Sequence, residues 1–165
     1  MGERMSKNLK YALIIIAMVL TCSLTQFASA KDLIVVASKE TQKATQDWLD
    51  FLKSKQEITV KLVTPESFSD HKQELYIFIP GTLNESKELN EIAKDALTAD
   101  EFESIKTEAK MFYKPQAWNV GQKVILVLGP NMEAAVNARI ATQEEWYEML
   151  QDWFDIQDSQ GFHLY

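Results

Sequence analysis

Residues 75–81 read Leu-Tyr-Ile-Phe-Ile-Pro-Gly, and this run limits what the chain can fold into more than any other stretch. Five apolar residues, bounded by charge before and by Pro80-Gly81 after, are too few for a buried helix. Tyr76, Ile77, Phe78 and Ile79 favour a pleated surface, so the run is read as a strand buried on both faces. Such a strand needs neighbours. Residues 33–37 (Leu-Ile-Val-Val-Ala) and 124–128 (Val-Ile-Leu-Val-Leu) have the same character, and small or polar residues and then a helix-period stretch follow each. Buried strands alternating with helices predict an α/β fold: a mainly parallel, three-layer sheet of four to five strands with helices on both faces.

The first thirty residues are read as a secretory signal peptide. Arg4, Lys7 and Lys10 precede an apolar run over residues 11–20, and Ala28-Ser29-Ala30 supplies the small residues of a cleavage site. The run is shorter than the ~20 apolar residues that span a bilayer, so no membrane span is expected after cleavage. Cys22 leaves a lipidated start open, although Thr21 before it departs from the small residue that lipoproteins prefer. Removing residues 1–30 takes away three basic residues, one acidic residue and the only cysteine. The remainder carries 14 basic and 23 acidic residues, a net charge of −9. An acidic surface argues against nucleic acid or anionic lipid as partners, and a cysteine-free chain has no disulfide or thiolate chemistry. Residues 31–156 are expected to form one domain and residues 157–165 a tail; the location is secreted or cell envelope.

Along that domain, Ala44, Trp48, Phe51 and Leu52 lie on one helical stripe after the first strand. Ile58, Val60 and Leu62 alternate with more polar positions, as a strand near the sheet edge would. Residues 66–74 read as a polar connection. Leu89, Ile92, Ala93 and Leu97 predict a helix capped by Asn84 or Ser86, and Thr98 with Glu101 predicts a capping box for the next one. Residues 111–122 read as a short outer strand or extended arm that doubles back into residues 124–128, with Gly121 near the bend. Thr142 with Glu145 predicts a second box, before a stripe of Trp146, Met149, Leu150 and Trp153.

Two constellations are candidates for function. In an open parallel sheet, ligands bind beyond the carboxyl ends of the strands, and Ser38, Thr41, Gly81, Thr82, Asn84, Gly129 and Asn131 fall there. Each also has an ordinary role as helix cap or turn residue. Trp118, Tyr147 and Phe154 lie off the helical stripe or in irregular chain and are the interface candidates, because Tyr and Trp are enriched at interfaces. Glu144, Glu145, Glu148, Asp152 and Asp155 read as a solvated helix face. No phosphate loop, Gly-x-Ser-x-Gly turn or His-Glu-x-x-His motif is present, so no catalytic residue, metal site or cofactor is assigned.

The strand exit at Ile79-Pro80-Gly81, the helical pair around Leu97-Thr98-Ala99-Asp100-Glu101, Met111-Phe112-Tyr113-Lys114 with Trp118-Asn119-Val120-Gly121-Gln122, and Val124-Ile125-Leu126-Val127-Leu128-Gly129 together resemble a small α/β domain. That domain recurs in prokaryotic, especially archaeal, cell-surface and S-layer-associated proteins. The resemblance implies an envelope location and a module without established catalysis, and it carries no catalytic residue over. Three readings follow: a non-catalytic module that contacts other envelope or extracellular proteins, a small-ligand binder using the strand-end cleft, or a hydrolase. The last requires His71 or His163 beside Ser38.

Overall fold

The computed structural model describes residues 31–156; the proposed signal segment, the tail and His163 lie outside them. Strand β1 (Lys31–Val36) is followed by helices α1 (Lys39–Ala44) and α2 (Gln46–Lys53), then β2 (Ile58–Val63) and a 3₁₀ helix (Pro65–His71). Strand β3 (Tyr76–Thr82) leads into α3 (Lys87–Ala96) and α4 (Ala99–Ser104). Strands β4 (Lys110–Pro115) and β5 (Lys123–Gly129) precede α5 (Met132–Ala141) and α6 (Gln143–Phe154). The five strands form one sheet in the order β2-β1-β3-β5-β4. All pairs are parallel except β4 with β5, so residues 110–115 are the antiparallel outer strand.

Two cores result from the strand alternation. Leu33, Val35, Ala37, Phe78, Ile125 and Val127 point to one face, where Trp48, Trp146, Leu150 and Trp153 of α2 and α6 cover them. Ile34, Val36, Ile77, Ile79, Val124, Leu126 and Leu128 point to the other, beneath Phe68, Leu89, Ala93, Phe102 and Ile105. Because side chains alternate along a strand, near-continuous apolar runs are the pattern of a sheet with both faces buried. The edge strand β2 departs from it: Ile58 and Val63 are buried, while Thr59, Lys61 and Leu62 are exposed.

Several local expectations need correction. The stripe after β1 is two helices, broken at Thr45, whose φ and ψ of −119° and 21° are not helical. The Thr45 hydroxyl donates to the Thr41 carbonyl at 2.7 Å, the back-bond by which threonine competes with a helix interior. Ala44 is exposed and Leu49 fills the buried position instead. The connection over residues 66–74 begins as a 3₁₀ helix that buries Phe68. The second capping box does not form, because the Thr142 hydroxyl donates back to Ala138 O at 2.8 Å and caps nothing. The box at Thr98 and Glu101 does form.

The β4–β5 connection is built around one buried glutamine. Gln122 Nε2 donates to Lys72 O at 2.9 Å and Glu74 O at 2.8 Å, and Oε1 accepts from Trp118 N at 3.0 Å. Gln116 and Gly121 take the positive φ values of 59° and 80° that turn the chain. This side chain ties the hairpin to the segment that enters β3. Gln122→Leu should leave those backbone groups without partners and cost roughly 2 kcal/mol, read as a lower urea midpoint with an unchanged slope.

Candidate functional site

The strand order reverses between β1 and β3, which makes their carboxyl ends the expected ligand crevice of a sheet of this kind. Pairing between these two strands is recorded only at Ile34 with Ile77 and at Val35 with Phe78, whereas β3 stays in register with β5 as far as Thr82 and Gly129. Pro80 has no N–H to give a ladder, and Gly81 adopts φ 152°. The two residues thus let β3 part from β1 at its carboxyl end.

Into this opening comes Glu85, a residue without an expected role in the sequence reading. The Thr41 hydroxyl donates to Glu85 Oε1, and the Thr82 amide donates to Oε2 at 3.2 Å. Thr41 is 1 % exposed and Thr82 5 %. A Cβ on Gly81 would lie 2.8 Å from Glu85 Oε2 and 2.8 Å from Leu89 Cδ2, so glycine is required here by contact as well as by φ. Around Glu85, a shallow hollow of about 260 Å³ is lined by Glu40, Thr82, Asn84, Pro130, Asn131 and Met132.

Of the seven expected cleft residues, the structure therefore brings Thr41, Gly81, Thr82, Asn84 and Asn131 to one place. Their polar groups are largely engaged within the chain. Ser38 caps α1 by accepting from the amides of Glu40 and Thr41 at 3.1 and 3.2 Å. Asn131 caps α5 through Ala134 N at 2.9 Å, and Asn84 Nδ2 donates to Pro130 O at 3.3 Å. Ser86, not Asn84, caps α3. Gly129 packs, since a Cβ there would stand 2.7 Å from Ala109 Cβ. His71 belongs to the segment that enters β3 at its amino end, while Ser38 follows the carboxyl end of β1. The two lie a strand's length apart, and no Ser–His pair forms from them. Among the described residues no three acidic, histidine or cysteine side chains are grouped as a metal site needs.

The aromatic candidates divide differently. Tyr147 and Phe154 are 4 % and 2 % exposed and belong to the core, which corrects their reading as interface residues. Tyr147 meets the Phe51 ring at 5.4 Å and Phe154 meets Tyr76 at 4.8 Å, so α6 is covered over a wider arc than a single stripe. Trp118 remains half-buried in the β4–β5 connection. Its indole N–H donates to Asp95 Oδ2 at 2.8 Å, its ring meets Phe68 edge-on at 5.2 Å, and Lys72 Nζ stands 5.5 Å over the ring. Beside it Val120 is 81 % exposed, and Leu75, whose carbonyl accepts from Lys123 N, is 49 % exposed. This end presents Val120 on a braced loop and Leu75 at the entry to β3.

No family model matches the chain, and no curated protein or solved structure matches it either. Among the described residues no helix is long and apolar enough to cross a membrane.

Two outcomes test this geometry. Gly81→Ala should destabilise the fold by roughly 2–3 kcal/mol in chemical denaturation, with less than additive loss when combined with Glu85→Ala, because Glu85 is one of the two groups the new methyl meets. Asp95 is held below the usual aspartate range by the Lys72 ammonium and also by the Trp118 N–H. A depressed carboxyl contributes stability that is present above its unfolded value and is lost as pH falls through the folded one. The urea midpoint of Asp95→Asn should therefore fall below that of the unaltered protein at pH 7, and the gap should narrow at pH 3.

Proposed function

We propose that this domain is a non-catalytic module that works outside the cytoplasm by contact with another protein of the cell surface or its surroundings. The observation that carries the reading is the contrast between the two ends of the sheet. At the carboxyl end, where a sheet of this kind keeps its chemistry, the polar side chains mostly cap helices or bond one another. At the amino end, the β4–β5 loop fixed by Gln122 and Trp118 holds Val120 out in solvent, and Leu75, just before β3, is also exposed. An ordered apolar tip loses little conformational freedom when it is covered, which favours association. The sheet edges suit the role less well, because β2 and β4 carry Lys61, Lys110, Lys114 and Pro115, residues that discourage strand addition. The basic start, apolar run and Ala28-Ser29-Ala30 support export. The resemblance to S-layer-associated domains agrees with that location.

A second reading rests on the hollow at Glu85. Its lining of Glu40, Glu85, Asn84, Asn131 and the Thr82 backbone has acidic and amide groups and no cation, so it suits a small ligand bearing an amine or several hydroxyls.

Photoactivatable residues placed at Val120 and at Glu40 separate the two readings in the intact source cell. The contact module predicts a discrete protein adduct from position 120 in the extracytoplasmic fraction and none from position 40, with Leu75→Asp reducing the yield at least fivefold. Recovery in the cytoplasm, or adducts from position 40 alone, would overturn it.

A further inference from the structure

A hollow of about 300 Å³ opens on the side of the sheet that α3 and α4 cover, at the carboxyl ends of β3 and β5. Asn90 and Lys94, four residues apart on α3, present one helix face to it. Phe102 of α4 and Lys106, just after that helix, line the opposite side. Its two charges have the same sign. Among the described residues no carboxylate lines this hollow, although the chain beyond residue 30 carries a net charge of −9. The other concavities differ. The larger groove between the 3₁₀ helix and α3, about 690 Å³, is lined by three lysines and four acidic residues that offset one another. The hollow at Glu85 shares Asn84 and Pro130 with this one, yet its charged residues are both acidic.

Lys94 Nζ and Lys106 Nζ stand 5.7 and 5.3 Å from the centre of the Phe102 ring, so one ring gathers both cations. Each also meets a glutamate three residues earlier, Glu91 at 3.1 Å and Glu103 at 2.5 Å, in pairs exposed to water. Exposed pairs of this kind hold weakly, and an ammonium that uses one of its three N–H groups keeps two for another acceptor. Two cations around one ring repel each other, whereas an anion between them attracts both. A third donor is at hand. Asn90 Oδ1 is buried without a partner, which leaves Nδ2 as the amide atom that can face the hollow. Leu83 and Phe102 are buried side chains and, with Pro130, give the hollow an apolar wall. We propose that this hollow binds a small carboxylate carried on a compact apolar body. Lys94, Lys106 and Asn90 take the carboxylate, and Leu83, Phe102 and Pro130 cover the body. A few convergent polar groups on an apolar wall are the usual make-up of a small-molecule site. The site is at the opposite end of the sheet from Val120 and does not rest on the contact reading.

Benzoate is the probe, titrated into the intact protein labelled with nitrogen-15. The side-chain amide signals of Asn90 and the backbone signal of Phe102 should shift saturably at millimolar concentration or below, while that of Val120 stays in place. Benzyl alcohol, which has the ring without the charge, should shift neither. Lys94→Gln combined with Lys106→Gln changes two exposed side chains, so the variant should keep the urea midpoint of the unaltered protein. Its affinity for benzoate should fall about tenfold or more, since both charge-assisted bonds are lost. Absence of a saturable shift in the unaltered protein would overturn the proposal whatever the variant does. Equal affinity in the folded double variant would overturn it too. So would inorganic phosphate producing the same shifts at the same concentration, because the two lysines would then be attracting any anion without help from the apolar wall.

Discussion

Burying a parallel sheet on both faces is the condition on which everything else in this fold depends. Strands β1, β3 and β5 send successive side chains to opposite faces, so each strand builds two cores at once and neither face can be left to water. The helices must then divide between the faces. Aromatic rings dominate one side, where Trp48 meets Phe78 at 4.6 Å and Trp146 stands edge-on to both. Aliphatic side chains dominate the other, with Phe68 and Phe102 at its margin. The only cysteine is Cys22, so residues 31–156 hold together without a disulfide, and the stability of that domain rests on these two cores and their hydrogen bonds.

The same condition explains why a proline can sit in a central strand. Proline is usually confined to sheet edges because it removes a donor. Here Pro80 falls where β3 has already parted from β1, and β3 keeps its pairing with β5 on the other side. The parting would leave buried Thr41 and the Thr82 amide without partners. Glu85 supplies both bonds with one carboxylate, and Gly81 leaves room for that carboxylate to approach. A crevice that topology would open is thereby mostly filled from within, which reduces it to a shallow hollow.

The parts of this architecture that follow from near neighbours in the chain are legible in the sequence. The runs at 33–37, 75–79 and 124–128 mark the buried strands, and Thr98 with Glu101 forms its box three residues apart; the alternation at 58–63 places β2 at the edge, although Val63 and not Leu62 is the buried residue at its end. Five of the seven cleft residues meet because a parallel sheet gathers its strand exits at one end. The signals failed where a side chain had two local uses. Thr45 and Thr142 both bond a carbonyl four residues back, which breaks a helix at one and forfeits a cap at the other. Tyr147 and Phe154 were misread because periodicity defines one stripe, while α6 is packed by rings from α2 and β3 as well. Glu85, Gln122 and Arg139 carry no local signal at all. Their roles depend on partners 44, 48 and 91 positions away, or, for Arg139, on what surrounds it.

Among the described residues Val120 is the most exposed large apolar side chain, ahead of Leu62, Leu75, Tyr113 and Ile140, and Arg139 is the one buried charge. Neither is forced by its neighbours. The loop that carries Val120 is held by Gln122 through backbone bonds that would accept a polar residue at 120 equally well, and α5 could pack Met or Leu at 139 beside Trp48. The proposed contact with another protein rests on the first of these, an apolar side chain that an ordered loop holds out in solvent at the amino end of the sheet.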